Sequence, residues 1–258
     1  MKPAFRIISL PGSDERRRAM ARQMEQIGAD WQFFDARRDA PERLRYRPQM
    51  ARWMRGRELT PGELGCFASH VAVWRGLLET PGLDGLCVFE DDLLIDPTFF
   101  GRMAEFVREC PLGYVRFYGK LPVPTTRICD TIGRRQIVYF ERPVYGTQAY
   151  WITRPMAERF LASIPEVVRP IDDEMDRCWA HGVPSAGVFP YPVIEVDFGS
   201  TIEGARRSLP ALSPGDALHR QYHRAIEKVR RVSYYGRVAT LGRRPLGPLL
   251  PAPLEVSA

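Results

Sequence analysis

The sequence predicts an α/β domain, a mixed sheet with helices on both faces, carrying a basic C-terminal appendage. Strand-length apolar runs alternate with helix-period segments in the order β-α-β-loop-α-β-α-β, which calls for helices packed on a sheet. The 258 residues, 45% hydrophobic and 26% charged, can bury a full core. From Leu209 onward, proline and arginine enrichment breaks the pattern. Residues 1–208 are therefore assigned to the domain and residues 209–258 to a basic, partly helical tail.

Ala4–Leu10 is a buried first strand, and Pro11-Gly12 turns the chain. Ser13 caps a helix that runs to about Ile27 and closes at Gly28. Trp31–Phe34 is a second strand ending at Asp35, and residues 37–57, without a clean period, read as a long loop. Thr60-Pro61-Gly62-Glu63 supplies an N-cap, a proline at the first helical position and a capping-box glutamate. Leu64, Phe67, Ala68, Val71, Trp74 and Leu78 then mark one buried helical face, which Pro81-Gly82 ends. Leu86–Phe89 is a buried strand running into Glu90-Asp91-Asp92, and a helix over 97–109 follows. Further strands are expected at Tyr114–Tyr118, Gln136–Phe140 and within 144–152, with an irregular segment over 121–133. Helices over 155–164 and 171–181 and the segment 183–196 complete the body. In the tail, Leu218, Tyr222, Ile226 and Val229 keep a helical period.

No run approaches the ~20 apolar residues of a membrane span. Pro3–Leu10 reads as a strand with no cleavage site after it, so a cytoplasmic protein is expected. The five cysteines are odd in number and widely spaced without a C-x-x-C pair, which suits reduced thiols. His219 and His223 have i, i+4 spacing but no companion ligand for zinc. Charge is uneven. Residues 37–57 hold eight arginines against Asp39 and Glu42, and residues 216–244 hold seven arginines and Lys228 against Asp216 and Glu227. Each segment alone matches the +6 of the whole chain, so the rest is acidic and anionic partners are expected at two places. Neither cluster has the aromatic interleaving of a nucleic-acid surface, and no nucleic-acid partner is expected.

The chemistry concentrates at Phe89-Glu90-Asp91-Asp92, where a hydrophobic strand delivers three carboxylates to its C-terminal end. Strand alternation puts Glu90 and Asp92 on one face and Asp91 on the other. Oxygen ligands so spaced suit Mg²⁺ or Mn²⁺ holding a diphosphate; a solvated acidic strand end explains the triplet as well.

Several blocks resemble glycosyltransferase family 25, the lipooligosaccharide galactosyltransferases and relatives that include collagen galactosyltransferase domains. They are Ile8-Ser9-Leu10 with Ser13 and Arg16-Arg17; Phe33-Phe34-Asp35-Ala36; and Leu59 through Cys66 with Ser69-His70 and Trp74. Phe89-Glu90-Asp91-Asp92 is similar to the family's metal-site strand, and Gly146-Thr147 with Tyr150 and Pro170-Ile171-Asp172 to its later landmarks. The resemblance covers roughly residues 4–202, with four ordered blocks in the first ~95. It implies a GT-A-type, Rossmann-like fold, a nucleotide-sugar donor, Mn²⁺ or Mg²⁺ dependence and inversion at the anomeric carbon.

On that resemblance Glu90 and Asp92 hold the metal, and Ser9, Leu10, Asp35, Ser69, His70, Glu90 and Asp91 surround the nucleotide. Inverting transfer needs a base for the acceptor hydroxyl. Asp172 is the first candidate and Asp173 the second, although an acid in a first helical turn also serves as a cap. The expected reaction moves a hexose, UDP-galactose being the leading donor, to a lipopolysaccharide-core or other surface glycan. Another nucleotide-sugar, or a non-catalytic protein that binds nucleotide-sugar or glycan, are the alternatives. The unusually arginine-rich loop, Arg43, Arg45 and Arg47 included, is expected to overhang the cleft and meet an anionic, lipid-linked acceptor. The tail helix is expected either to dock on the domain through its apolar stripe or to lie on the inner membrane face.

Overall fold

Alternation in the strands builds two apolar layers. In β3 (Gly85–Glu90), Leu86 and Val88 enter one core while Cys87 and Phe89 enter the other. In β8 (Ala149–Thr153), Tyr150 and Ile152 join the first layer and Ala149 and Trp151 the second. The computed structural model describes residues 3–38, 44–196 and 213–241.

The remaining strands are β1 (Ala4–Ser9), β2 (Asp30–Asp35), β4 (Leu93–Ile95), β5 (Tyr114–Arg116), β6 (Thr125–Thr131), β7 (Arg135–Phe140), β9 (Ala186–Phe189) and β10 (Val193–Glu195). Eight form one mixed sheet in the order β2-β1-β3-β8-β5-β9-β7-β6, while β4 and β10 form an antiparallel pair. β2, β1 and β3 are parallel, β8 runs against β3 and β5, and β9 is parallel to β5. Helices α1 (Asp14–Ile27), α4 (Pro97–Phe100) and α5 (Met103–Glu109) supply Met20, Met24, Phe99 and Phe106 to one layer. Helices α3 (Pro61–Glu79), α6 (Arg154–Ser163) and α7 (Ile171–Met175) supply Trp74, Phe160 and Ile171 to the other. The predicted mixed sheet flanked by helices is what forms.

The capping box at α3 is complete: Thr60 Oγ1 accepts from the Glu63 amide at 3.2 Å, and Glu63 Oε2 accepts from the Thr60 amide at 2.9 Å. Elsewhere the elements are finer than expected. The segment 37–57 contains α2 (Pro48–Arg55), with proline at its first position and Gly56 in the left-handed region closing it. Its arginines hide the period, because Ala51 is its one buried side chain. Residues 39–43, Arg43 among them, lie outside the described residues. The helix expected over 97–109 divides at Gly101-Arg102, and that over 171–181 divides into α7 and α8 (Cys178–His181). The irregular segment 121–133 holds β6, which pairs with β7 through a turn with Gly133 at positive φ.

The tail helix is α9 (Pro214–Leu241). It packs against α2 and α8 with a polar face: Trp53 stacks on His219 with ring centroids 4.3 Å apart, and Trp53 Nε1 donates to Asp216 at 2.8 Å. Arg177 and Trp179 donate to Glu227. Docking through the apolar stripe is corrected: of its four residues Leu218, Tyr222 and Val229 face solvent, and Ile226 alone is half-buried.

Candidate active site

A cleft of about 970 Å³ opens over the C-terminal ends of β1 and β3. Open α/β sheets bind ligands there because the parallel strands end together and the loops diverge. Ser9, Leu10, Ser69, His70, Glu90, Asp91, Asp92 and Asp172 all line it, whereas Asp35 and Asp173 do not.

The carboxylates are held differently. β3 ends at Glu90 and the chain bends through Asp91 and Asp92, so alternation fails and all three reach the cleft. Asp91 Oδ2 accepts from Ser9 Oγ at 2.6 Å, and Arg16 lies 3.4 Å from Asp91 Oδ1. Glu90 accepts from the Thr147 hydroxyl. Burial works to raise the Glu90 carboxyl, but the His70 imidazole and the Thr147 hydroxyl more than offset it and hold the group below its ordinary range. Asp92 is the exception. Its buried Oδ1 has no hydrogen-bond partner, and burial together with the charges of Glu90, Glu195 and Asp91 pushes its carboxyl up to about 7.

Behind Glu90 runs a buried relay. Trp74 Nε1 donates to the Tyr150 hydroxyl at 2.9 Å, and that hydroxyl lies 2.8 Å from His70 Nδ1. Indole can only donate, so the tyrosine proton is left for Nδ1 and the imidazole proton is assigned to Nε2, 3.6 Å from Glu90 Oε1. Among the described residues, Cys66, His70 and Glu90 form the one trio whose ligand atoms lie within 4.8 Å of one another. Burial and the Glu90 charge raise the Cys66 thiol well above its ordinary range, which favours the neutral thiol. What faces the cleft is an oxygen set. A hard cation held by one or two carboxylates and completed by ligand phosphates fits it, and the unpartnered Asp92 oxygen is the observation that favours this.

Opposite stands the turn 144–148. Tyr145 and Gly146 both take positive φ, at 54° and 86°. A Cβ on Gly146 would sit 2.5 Å from Gln148 Oε1 and 2.9 Å from Tyr118, so space as well as φ requires glycine. The Arg116–Asp176 ion pair, 3.0 Å and almost fully buried, fixes this turn. Asp176 accepts from the Tyr145 amide at 2.7 Å, and Arg116 donates to the Gly146 carbonyl at 2.5 Å. The Gly146 amide then points to Asp172 Oδ2 at 3.5 Å, while the next residue, Thr147, reaches Glu90. One short turn thus touches both acidic groups.

Asp172 and Asp173 part ways in the first turn of α7. Asp172 faces the cleft and caps the Asp173 amide at 2.9 Å. Asp173 is buried and paired with Arg55 at 2.8 Å. Asp35 is exposed and pairs with Arg17, which holds Ser9 by its carbonyl at 3.0 Å, so Asp35 acts on the cleft at one remove. Ser69 accepts from the Arg37 amide at 2.8 Å and pins the chain after β2 to α3. Gly65 permits that approach, since a Cβ there would meet the Arg37 carbonyl at 2.5 Å. Arg45 and Arg47 do not overhang the cleft; both face Glu166, at 3.9 and 2.8 Å. Arg37, Arg38 and Arg55 line it instead, joined by Lys120, Gln148 and Glu195, which sequence reasoning missed. Glu195 is brought in by the β4–β10 pairing, and no local motif announces it.

A mixed sheet whose parallel strand ends carry an acidic cluster rimmed by arginines and Lys120 is an α/β protein with a charged cleft where such sheets take ligands. The family model for glycosyltransferase family 25 (LPS biosynthesis protein) matches residues 1–175, and the chain belongs to that family. It is 32% identical over 179 residues to a glycosyltransferase 25 family member of Aedes aegypti, covering 65% of this chain and 29% of that one. It is 31% identical to procollagen galactosyltransferase 1 of Danio rerio and 41% to the inactive glycosyltransferase 25 family member 3 of Homo sapiens, each over 123 residues. These two alignments cover 46% of this chain and 20% of each relative, so the chain spans a minor part of the proteins it matches. A solved glycosyltransferase involved in glycosylation of the major capsid of PBCV-1 matches 61% of this chain and 62% of its own, at a TM-score of 0.34 and 8% identity.

Proposed function

We propose that the cleft binds a UDP-hexose, UDP-galactose foremost, and transfers the sugar with inversion to a hydroxyl of a lipopolysaccharide-core or other surface glycan. The observation that carries this reading is the turn 145–147, which directs one amide at Asp172 and one hydroxyl at Glu90 in a chain of family 25. Asp172, which lines the cleft with Oδ1 held by the Asp173 amide and Oδ2 beside the Gly146 amide, is the base that takes the acceptor proton. Glu90 and Asp92 are the residues that would hold Mn²⁺ or Mg²⁺, which when bound supplies positive charge to the departing diphosphate. Arg38 and Lys120 lie where they can bind phosphate oxygens. His70, locked by Tyr150 and Trp74, orients Glu90.

A binding-only protein is the second reading, favoured by the relatives whose names call them inactive. A thermal-shift screen of UDP, GDP and CMP and their sugars, with and without Mn²⁺, tests donor binding. UDP and UDP-galactose are expected to raise the melting temperature, by about 2.7 kcal/mol of stabilisation at a hundredfold excess over Kd. No shift with any nucleotide contradicts the donor assignment, and a shift without sugar turnover supports the second reading.

A further inference from the structure

Helix α9 is amphipathic but sits inside out. Its acidic residues are spent on docking: Asp216 accepts from Gln49 at 2.6 Å and from Trp53, and Glu227 binds Arg177, Trp179 and Arg169. At about 100° per residue, Asp216 and Glu227 fall on the side opposite Leu218, Tyr222, Val229 and Val232. Those four are 70%, 62%, 65% and 60% exposed, large values for apolar side chains on a helix already packed against a body. They fall within an arc of about 80° and extend over about 21 Å of helix, with exposed Ala225 between them. Exposed Arg224 and Lys228 flank the arc on one side and exposed Arg230, which also lies 3.8 Å from Glu227, on the other.

We infer that this outward face of α9 is a docking surface for an anionic lipid bilayer, on which the helix lies parallel to the membrane plane. Charge complementarity selects the occupant. Between residues 213 and 237 the helix has no acidic side chain besides the two turned inward, so its outer half offers apolar groups bordered by cations. Lipid headgroups of negative charge answer the cations, and the acyl boundary accepts the leucine, valines and tyrosine ring. A second copy of the helix would bring a like-charged border against it, which opposes pairing. Among the described residues no helix is long and apolar enough to cross a membrane, and surface contact needs none. The inference does not depend on sugar transfer. It would hold for a family member that only binds its ligand.

The test is sedimentation of the full chain with vesicles of phosphatidylcholine alone and of phosphatidylcholine mixed with phosphatidylglycerol, read at low and high salt. Binding to the mixed vesicles is expected to exceed that to phosphatidylcholine at least about tenfold and to fall with salt. A Leu218→Ser, Tyr222→Ser, Val229→Ser, Val232→Ser variant is expected to lose binding at least tenfold while keeping its circular dichroism and melting temperature, because none of the four is buried. Arg224→Gln, Lys228→Gln and Arg230→Gln together should cost about a hundredfold on anionic vesicles, at about fivefold per cation. Absence of sedimentation with either vesicle overturns the inference, as does equal sedimentation of the serine variant. A dimer in analytical ultracentrifugation that the serine variant abolishes, without vesicle binding, would give the face to a second copy and overturn it too.

Discussion

Two acidic clusters touch the same turn and are treated in opposite ways. Asp176 is paired with Arg116, buried at 2% and 1% exposure, and spends its second oxygen on the Tyr145 amide. Around it, Glu174 and Glu227 are answered by Arg169 and Arg177. At the end of β3, by contrast, Asp92 keeps a buried oxygen without a partner beside Glu90 and Asp91. A buried pair answers each charge with its opposite and fixes shape, whereas an unpaired buried carboxylate costs stability and persists where a ligand supplies the missing charge. On the proposed function the first cluster is architecture and the second is chemistry.

Substitutions should separate the two. Asp92→Asn is expected to lower transfer at least about 10³-fold while leaving the melting temperature of the ligand-free protein unchanged or higher, because an uncompensated charge is removed. A large loss of stability would place Asp92 with the architecture. Asp172→Asn should lower kcat about 10²-fold or more and leave UDP affinity nearly unchanged, since a base acts on the acceptor proton alone. If Asp173→Asn shows that pattern in its place, the roles of the two neighbours are exchanged.

Asp176→Asn should do the reverse of Asp92→Asn. Breaking one partner of a buried pair costs about 3–5 kcal/mol, and chemical denaturation should read that loss. A change below 1 kcal/mol would mean that Arg116 finds another acceptor. The paired cluster should also be the acid-sensitive part of the fold. Burial, with the nearby Arg177 charge, pushes His181 down to about 3, and its Nδ1 accepts the Val183 amide at 3.0 Å. Its folded-state pKa lies below the unfolded value, so the fold favours the neutral ring. That stability is intact above about pH 6.5 and is lost as pH falls toward 3, about 3 kcal/mol by pH 4. His181→Gln should flatten the pH dependence of the melting temperature over that window; an unaltered slope would assign it to the carboxylates.

What the sequence discloses follows the range of the interaction. The Thr60–Glu63 capping box and the acidic end of β3 are local, and both are where the motifs put them. The turn at Tyr145 and Gly146 depends on Asp176 and Arg116, thirty residues away on either side, so no short pattern reveals it. Asp172 and Asp173 look alike in sequence; the register of α7 sends one to the cleft and the other to Arg55. The period in α9 locates its apolar stripe but not the side that docks. That choice belongs to Trp53, Arg177 and Trp179, whose donors meet the two helix acids.

Release of UDP from UDP-galactose, followed with Mn²⁺ present and again after EDTA, tests the central claim most directly. The cleft as described predicts release that depends on the cation, rises when a glycan acceptor is added, and is absent from Asp92→Asn. Release that continues undiminished in EDTA, or that Asp92→Asn retains in full, would contradict the assignment of the β3 end as the catalytic centre.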